Sequence, residues 1–380
     1  MATWITMDEV CTQLGVQPQT VYAYVSRHKL EATPDPADPR RSLYRAEDVA
    51  VLAQRKQAGR KPETLAANTL FGSQPSIPTA LSTFHRGRLY YRGRDAVELA
   101  RGATLEEVAR LLWGAQQPVV FACPAAARVA RPGRVAAFTG LAGLAATGHS
   151  TQGRLTAVLH EEAQSLVGPL AAAFGAGTGK APLHLRFAQG WRQPADAAEL
   201  LRSAMVLLVD HELTSSAFTA RIAASAGASL PACLLAGMTT LSGPLHGDAS
   251  GRVQALFGEV ERSGEEQVLT HYLSTGLPLA GFGHHLYPDG DPRAAALLAL
   301  FEPPPVIARF IAKVQKLTGL RPNIDAALAA LVAHCRLPAD AAFGLFTTAR
   351  SIGLLAHSLE QLSVAQVIRP RGRYVGPPPG

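Results

Sequence analysis

The spacing of apolar residues near the N-terminus predicts a short helix with a defined start and end. Thr6 is followed three residues later by Glu9, which is the spacing of a capping box. Val10 and Leu14 continue an apolar face, and Gly15 is a typical residue for ending a helix.

A second helix is predicted over residues 17–29, with Pro18 in its first turn. Prolines and aspartates between Ala32 and Arg45 then indicate a turn, followed by arginines. We interpret this stretch as a basic wing, after which the pattern returns to a helix over residues 46–57.

The remainder of the chain favours helices. Thr104 and Glu107 repeat the capping-box spacing and lead into an amphipathic pattern that begins at Val108. Small and apolar residues dominate from Val135 to Phe174, which indicates tightly packed helices. Strand-type alternation is rare, so the fold class is expected to be mainly α.

Composition allows a large folded protein. The 380 residues are 47% apolar and 17% charged, which is enough for two or three units with extensive cores. The four cysteines are far apart and form no paired motif, so neither a disulfide framework nor a zinc site is indicated.

The net charge of +7 favours anionic partners, either nucleic acid or acidic metabolites such as coenzyme A thioesters and polycarboxylates. The chain begins without a basic segment followed by an apolar core, and it has no apolar run of about 18 residues. We therefore expect a cytoplasmic location and no membrane partner.

Residues 3–57 resemble the winged helix-turn-helix of mercury-resistance regulators and phage excisionases, so we predict such a domain over residues 1–60 and a linker over 61–88. The resemblance implies that the second helix faces the major groove and that the wing lies near phosphates. The expected DNA contacts are Gln17, Gln19, Thr20, Tyr22, Tyr24, Arg27, Arg40, Arg41 and Arg45. The alternative is a small helical module for oligomerisation with an ordinary solvated basic face.

Three segments further on carry residues suited to acid–base chemistry. Gly243-Pro-Leu-His-Gly-Asp-Ala-Ser-Gly251 and Gly281-Phe-Gly-His-His-Leu-Tyr-Pro-Asp-Gly-Asp-Pro-Arg293 each set a histidine among glycines. Arg321-Pro-Asn-Ile-Asp325 places a carboxylate in the first turn of a predicted helix. Two histidines and a carboxylate suit proton abstraction beside a carbonyl group, with stabilisation of the enolate that results.

Together with Asp210-His-Glu-Leu and Phe218-Thr-Ala-Arg221, these segments resemble citrate synthase, in the same order, from about Leu89 to the C-terminus. The resemblance implies a citrate synthase-like domain over residues 89–380, with large and small helical domains, the small one at approximately 210–325. It also implies a homodimer whose active sites are shared between subunits.

The resemblance further implies condensation of acetyl-CoA or propionyl-CoA with oxaloacetate, without a metal or other cofactor. Asp325 would be the general base, His246 would stabilise the enol, and His284 would polarise the ketone. A neutral His246 is expected because it precedes a helix start. Residues 278–287 would hold coenzyme A, and the oxaloacetate ligands would be His211, Arg293, Arg350 and, from the neighbouring subunit, Arg369.

Each of these residues also has an ordinary structural interpretation. Without the resemblance, Asp325 is most often a helix cap and His211 a structural histidine, and a basic tail is usually solvated. The chain departs from the family at Asp248, His285 and Ala326. These departures bear on the identity of the substrate and leave open a DNA-bound regulator that senses a CoA ester or tricarboxylate with little turnover.

Overall fold

The computed structural model describes residues 3–26, 30–36, 38, 41–58, 77–364, 366–370 and 376, with the backbone alone at 54–58. The chain divides into two compact units, one of Met1–Pro78 with Arg369–Gly380 and one of Thr79–Ile368. The predicted DNA contacts Arg27 and Arg40 lie outside the described residues.

The N-terminal unit has a core of its own. Its helices are α1 (Met7–Leu14), α2 (Pro18–Ser26) and α3 (Ala46–Ala58). Its strands are β1 (Trp4–Ile5), β2 (Ala32–Pro34) and β3 (Ser42–Arg45), which form an antiparallel sheet in the order β1-β3-β2. The buried residues between helices and sheet are Val10, Leu14, Val21, Leu30, Tyr44 and Val49.

The predicted capping box is present at the start of α1. The Thr6 backbone N–H donates to Glu9 Oε2 at 2.7 Å, and the Glu9 N–H donates to the Thr6 hydroxyl. Gly15 ends the helix with a φ of 57°, in the left-handed region that favours glycine. Local sequence alone therefore specifies both ends of α1.

The second unit begins with a three-stranded antiparallel meander of β4 (Ser82–His85), β5 (Arg88–Tyr91) and β6 (Arg94–Asp95). Strand β4 lies inside the range predicted as a linker. Its short polar sequence has no apolar run to reveal it, and Ala80 just before it is held by Glu360, 280 residues away in the chain.

The rest of this unit is helical, as predicted. The helices are α4 (Ala96–Ala100), α5 (Leu105–Trp113), α6 (Arg134–Thr147), α7 (Thr156–Ala173), α8 (Leu183–Gly190), α9 (Ala195–Leu208), α10 (Ser215–Ser225), α11 (Leu230–Leu241), α12 (Ala249–Ser263), α13 (Glu265–Thr275), α14 (Pro292–Leu298), α15 (Pro305–Thr318), α16 (Ile324–Cys335) and α17 (Ala341–Val364). Within the described part of the chain, no helix is both long and apolar enough for a bilayer.

Two hydrophobic clusters share helix α16. Ile324, Leu328 and Leu331 face the larger cluster, which is packed around the buried helix α17. Ala326 and Ala330 face a smaller cluster formed with α12, α13 and α15. A helix buried on both faces has no polar stripe, and α16 accordingly carries few polar residues.

The smaller cluster runs from Val253 to Ala330. The predicted small domain of about 210–325 starts earlier than this cluster, because α10 and α11 pack on the larger core through residues such as Ala217 and Leu234. The apolar pattern of these two helices cannot reveal which core they join.

Replacing Gly190 tests the packing of the larger unit. A Cβ atom there would lie 1.8 Å from the Gly175 carbonyl oxygen, whereas a Cβ at Gly140, on the exposed face of α6, would meet nothing within 4 Å. We expect Gly190→Ala to lower the free energy of unfolding by roughly 1–3 kcal/mol. Gly140→Ala should raise it by about 0.5–1 kcal/mol. Urea unfolding of the two variants measures both effects, and equal stabilities would contradict this packing.

Candidate active site

His246 stands in a tight loop between α11 and α12. The loop is closed by backbone bonds from His246 N–H to Gly243 O and from Gly247 N–H to Leu241 O, both at 2.9 Å. The ring Nε2 lies 2.7 Å from the Ser216 hydroxyl oxygen. Burial, and secondarily the charge of Arg350, lowers the pKa of His246 to about 4. The histidine is therefore neutral near pH 7, and burial is the main reason rather than the start of α12.

Asp248, one of the departures from the family pattern, anchors this loop. Arg134, at the start of α6, donates from Nη1 to Asp248 Oδ2 at 2.8 Å and also bonds to Oδ1. The same guanidinium lies 4.0 Å from the centroid of the Phe343 ring. The loop carrying His246 is thus tied by a two-point ion pair to the elements of the larger core.

The segments carrying His284 and Asp325 are joined through their backbones. Gly283 N–H donates to Arg321 O and Asn323 N–H donates to Gly281 O, both at 2.8 Å. The Asn323 side chain adds a bond from Nδ2 to Gly283 O at 3.1 Å. These bonds fix the position of His284 relative to the start of α16.

Asp291 adds a second tie between the same segments. Its carboxylate accepts from the Ile324 N–H at 3.0 Å and from Nε and Nη2 of Arg293, at 3.0 and 2.8 Å. Asp291 and Arg293 are both buried. Arg293 is therefore oriented by a two-point ion pair with the carboxylate that also bonds α16.

Asp325 follows the cap of α16 rather than forming it. The side-chain oxygen of Asn323 accepts from the N–H groups of Asp325 and Ala326, at 3.0 and 3.4 Å. Asp325 Oδ1 is shielded from solvent and has no hydrogen-bond partner among the described residues. Burial raises the pKa of Asp325 to about 7, against the lowering effect of Arg293. A carboxylate with a free oxygen and a pKa near neutrality is suited to act as a general base.

His284 has a defined tautomer. The backbone N–H of Leu286 donates to His284 Nδ1 at 3.1 Å, so Nδ1 is an acceptor and the proton of the neutral ring is on Nε2. Burial, followed by the charge of Arg293, lowers the pKa of His284 to about 4. His284 is thus a neutral hydrogen-bond donor through Nε2.

His211 lies beside His284. Their ring centroids are 5.4 Å apart, and the Phe84 ring packs edge-on against His211 at 4.8 Å. His211 Nε2 lies 3.1 Å from the Tyr287 hydroxyl oxygen. Burial is the main cause that lowers the pKa of His211, with the charges of Arg293 and Arg350 adding to it.

The backbone beside His211 is held in an uncommon conformation. Glu212 has a φ of 61°, and its N–H donates to the Ser82 hydroxyl at 2.9 Å. Ser82 in turn donates to the buried carboxylate of Asp210, which also lies 3.3 Å from His357 Nε2. Strained residues that are fixed by several partners are frequent at functional sites.

Two buried guanidinium groups bring the candidate residues together. Arg350 bonds through Nε to Leu208 O at 3.0 Å, and its charge acts on His246, His211 and Asp325. The charge of Arg293 acts on His284, His211 and Asp325. The charges of the two arginines therefore reach all four of these side chains, His211, His246, His284 and Asp325.

The role of Arg369 stays a prediction, and some residues beside the candidate histidines were not predicted. Arg369 is exposed and groups with the N-terminal unit, and its predicted place is in the site of a second subunit. His285, a departure from the family pattern, is exposed, and its ring is stacked on that of His284 with the centroids 4.9 Å apart. Tyr287 lies within the motif at residues 281–293, and Ser216 lies between the motifs at residues 210–213 and 218–221. A polar side chain within or next to a motif was therefore the available signal. Phe84 had no such signal, because it lies in the predicted linker.

The predicted DNA contacts show mixed environments. Gln17, Gln19 and Tyr22 are exposed, while Thr20 and Tyr24 are partly buried. Arg41 is exposed and forms an ion pair with Asp38. Arg45 forms ion pairs with Glu31 and Glu47, which offset its charge.

Comparison with known proteins identifies the family of the chain. A family model described as citrate synthase, C-terminal domain, matches residues 155–371, which is more than half of the chain. The chain belongs to the citrate synthase family.

Curated relatives match about half of the chain. Putative citrate synthase 2 of Mycobacterium tuberculosis is 36% identical over 209 residues, covering 51% of this chain and 56% of the relative. Citrate synthase of Haloferax volcanii is 32% identical over 194 residues, covering 47% and 50%. The chain thus spans about half the length of the curated relatives it matches.

Solved citrate synthases share the fold over a longer stretch. The Thermotoga maritima enzyme has a TM-score of 0.66 at 24% identity, covering 82% of this chain and 96% of its own. The Thermoplasma acidophilum enzyme, solved with carboxymethyl coenzyme A and oxaloacetate, has a TM-score of 0.65 at 21% identity, covering 80% and 94%. The mainly helical citrate synthase fold predicted from the sequence is confirmed.

The raised pKa of Asp325 predicts a pH dependence of stability that does not require activity. Between the ordinary carboxyl pKa of 3.8 and about 7, the folded state keeps a proton that the unfolded state releases, so this residue lowers stability as pH rises. Asp325→Asn should therefore raise Tm near pH 8 but change it little near pH 4. Thermal unfolding across this range measures the difference, and a shift independent of pH would contradict the raised pKa.

Proposed function

We propose that the chain catalyses a citrate synthase-type condensation of acetyl-CoA or propionyl-CoA with oxaloacetate, giving citrate or 2-methylcitrate and coenzyme A. The observation that carries the proposal is the shielded Oδ1 of Asp325. This oxygen has no hydrogen-bond partner in the described part of the chain, while backbone bonds fix its helix to the segment of His284. A carboxylate oxygen in this setting is available to take a proton from carbon.

In the proposed reaction, Asp325 takes a proton from the carbon next to the thioester carbonyl. If the Ser216 hydroxyl donates to Nε2 of His246, the ring proton is on Nδ1 and can be donated to the thioester oxygen. The carbon of the enol then bonds to the ketone carbon of oxaloacetate, while His284 Nε2–H donates to the ketone oxygen that becomes negative. Hydrolysis of the thioester releases coenzyme A without a metal or redox cofactor.

The carboxylates of oxaloacetate would bind His211, Arg293 and Arg350. Asp291 already engages Nε and Nη2 of Arg293, and Leu208 O engages Nε of Arg350, so the remaining guanidinium N–H groups would serve the substrate. We propose that Arg369 of a second copy completes the site in a homodimer, and that residues 278–287 hold coenzyme A.

The acyl group is the least defined part of the substrate. One methyl group in an apolar pocket changes binding by only about 1–3 kcal/mol, so both donors belong in the test. The family relationship supports synthesis rather than a sensor with little turnover.

Release of free thiol from acetyl-CoA or propionyl-CoA with oxaloacetate tests the proposal. We expect oxaloacetate-dependent release by the intact chain and a loss of at least about 100-fold in kcat for Asp325→Ala, since a general base contributes 10²–10⁴-fold. Asp289→Ala, which removes an exposed aspartate from the His284 segment, is the matched control and should stay active.

No release with either donor, from protein that still binds them, would contradict the proposal. Equal activity of Asp325→Ala and Asp289→Ala would remove Asp325 from the mechanism.

We also propose DNA binding as a second function of the N-terminal unit. The supporting observation is a pair of helices joined by a short turn and followed by antiparallel strands, with Gln19 and Tyr22 exposed on the second helix. This arrangement suits a helix that enters a major groove while the β-strand wing meets phosphates.

The second function is tested by measuring how the affinity of the protein for DNA near its own gene changes with salt concentration. We expect affinity to fall steeply with salt, and Arg41→Ala to weaken binding and reduce the salt slope by about one. Arg101→Ala is the matched control, because Arg101 is also exposed and also pairs with a carboxylate three residues away. Absence of binding at low salt, or equal effects of the two substitutions, would contradict it.

A further inference from the structure

Tyr287 is buried between His211 and His284, and the proposed reaction gives it no role of its own beyond its place in the segment 278–287. Its ring centroid lies 4.9 Å from that of His284, 5.7 Å from that of His211 and 5.6 Å from that of Phe84. The guanidinium carbon of Arg293 lies 5.3 Å from the same centroid. One side chain thus contacts His284, which would bind the ketone, and two proposed carboxylate ligands, His211 and Arg293.

The hydroxyl of Tyr287 occupies one nitrogen of His211. The distance from the hydroxyl oxygen to Nε2 is 3.1 Å, so Nδ1 is the nitrogen left for a substrate. Burial keeps His211 neutral by lowering its pKa, so the ring carries one proton on one of the two nitrogens. The partner at Nε2 decides which nitrogen carries it.

The chemistry of the substrate indicates the direction of this bond. At neutral pH oxaloacetate presents only acceptor oxygens, so a neutral histidine can bind it only through an N–H group. With Nε2 engaged by Tyr287, that group must be Nδ1–H, and Nε2 must accept from the tyrosine hydroxyl. Burial raises the pKa of Tyr287, so its hydroxyl keeps the proton that it donates.

We propose that Tyr287 is a positioning residue that fixes the Nδ1–H tautomer of His211, so that His211 presents a donor to a substrate carboxylate. This proposal rests on the proposed function. The residue before Tyr287 has a similar effect on His284. The N–H of Leu286 donates to Nδ1 of His284, which fixes the proton of that ring on Nε2. Burial keeps both imidazoles neutral, and the segment from His284 to Tyr287 sets which nitrogen of each carries the proton. Two N–H donors favour a ligand rich in acceptor oxygens.

Tyr287→Phe removes the hydroxyl and keeps the ring contacts, so it isolates the hydrogen bond. Without that bond, Nε2 loses its buried partner and the proton of His211 distributes between the two nitrogens. We expect KM for oxaloacetate to rise roughly 10–100-fold, the effect typical of a buried polar atom left without its partner. The kcat at saturation should change less than KM. Tyr272→Phe is the control, because its hydroxyl bonds to Glu259 outside this site, and it should leave both constants unchanged.

A spectroscopic measurement tests the tautomer without turnover. In protein labelled with ¹⁵N at histidine, His211 is assigned by the loss of its signals in His211→Gln. The wild type should show a protonated Nδ1 and an unprotonated Nε2, and Tyr287→Phe should shift both signals towards their average. The Tyr272→Phe spectrum should match the wild type.

The two readouts separate the proposals. If the His211 tautomer depends on Tyr287 but the chain shows no condensation activity, the positioning role stands and the proposed function is wrong. An unchanged His211 tautomer in Tyr287→Phe, or a wild-type ring protonated on Nε2, would overturn the positioning role whatever the activity.

Discussion

The backbone pairing between residues 281–283 and 321–323 is the constraint on which the site depends. It joins a loop that carries His284 and Arg293 to the start of helix α16, which carries Asp325. Because these are backbone hydrogen bonds, the separation between the two segments does not depend on the identity of the side chains at His284, Arg293 and Asp325. Asn323 and Asp291 reinforce the junction with side-chain bonds, so both backbone and side chains hold the candidate residues in position.

Burial shifts the pKa values of the histidines and of the carboxyl group in this site in opposite directions. It lowers the pKa values of His246 and His284 to about 4, so both are neutral, and it raises that of Asp325 to about 7. Arg293 and Arg350 are buried beside these groups, where their guanidinium groups would suit the proposed anionic substrate. Neutral donors, a weak carboxylic acid and fixed cations can then act together near neutral pH.

The sequence could predict features that depend on neighbouring residues. The capping boxes at Thr6 and Thr104 and the first-turn location of Asp325 follow from residues within a few positions. Contacts over long separations could not be predicted. Ser82 holds Asp210 across 128 residues from a strand whose own sequence resembles a linker. The neutrality of His246 was predicted from the helix start, but burial, which no local pattern reveals, is its main cause.

The most direct test of the central claim is a crystal structure with oxaloacetate and an unreactive thioether analogue of acetyl-CoA. We predict the ketone oxygen within hydrogen-bond distance of His284 Nε2, the carboxylates on His211, Arg293 and Arg350, and Asp325 Oδ1 facing the carbon of the analogue that replaces the reacting methyl group. Binding of either ligand elsewhere, with Asp325 turned away from both, would contradict the claim that these segments form one active site.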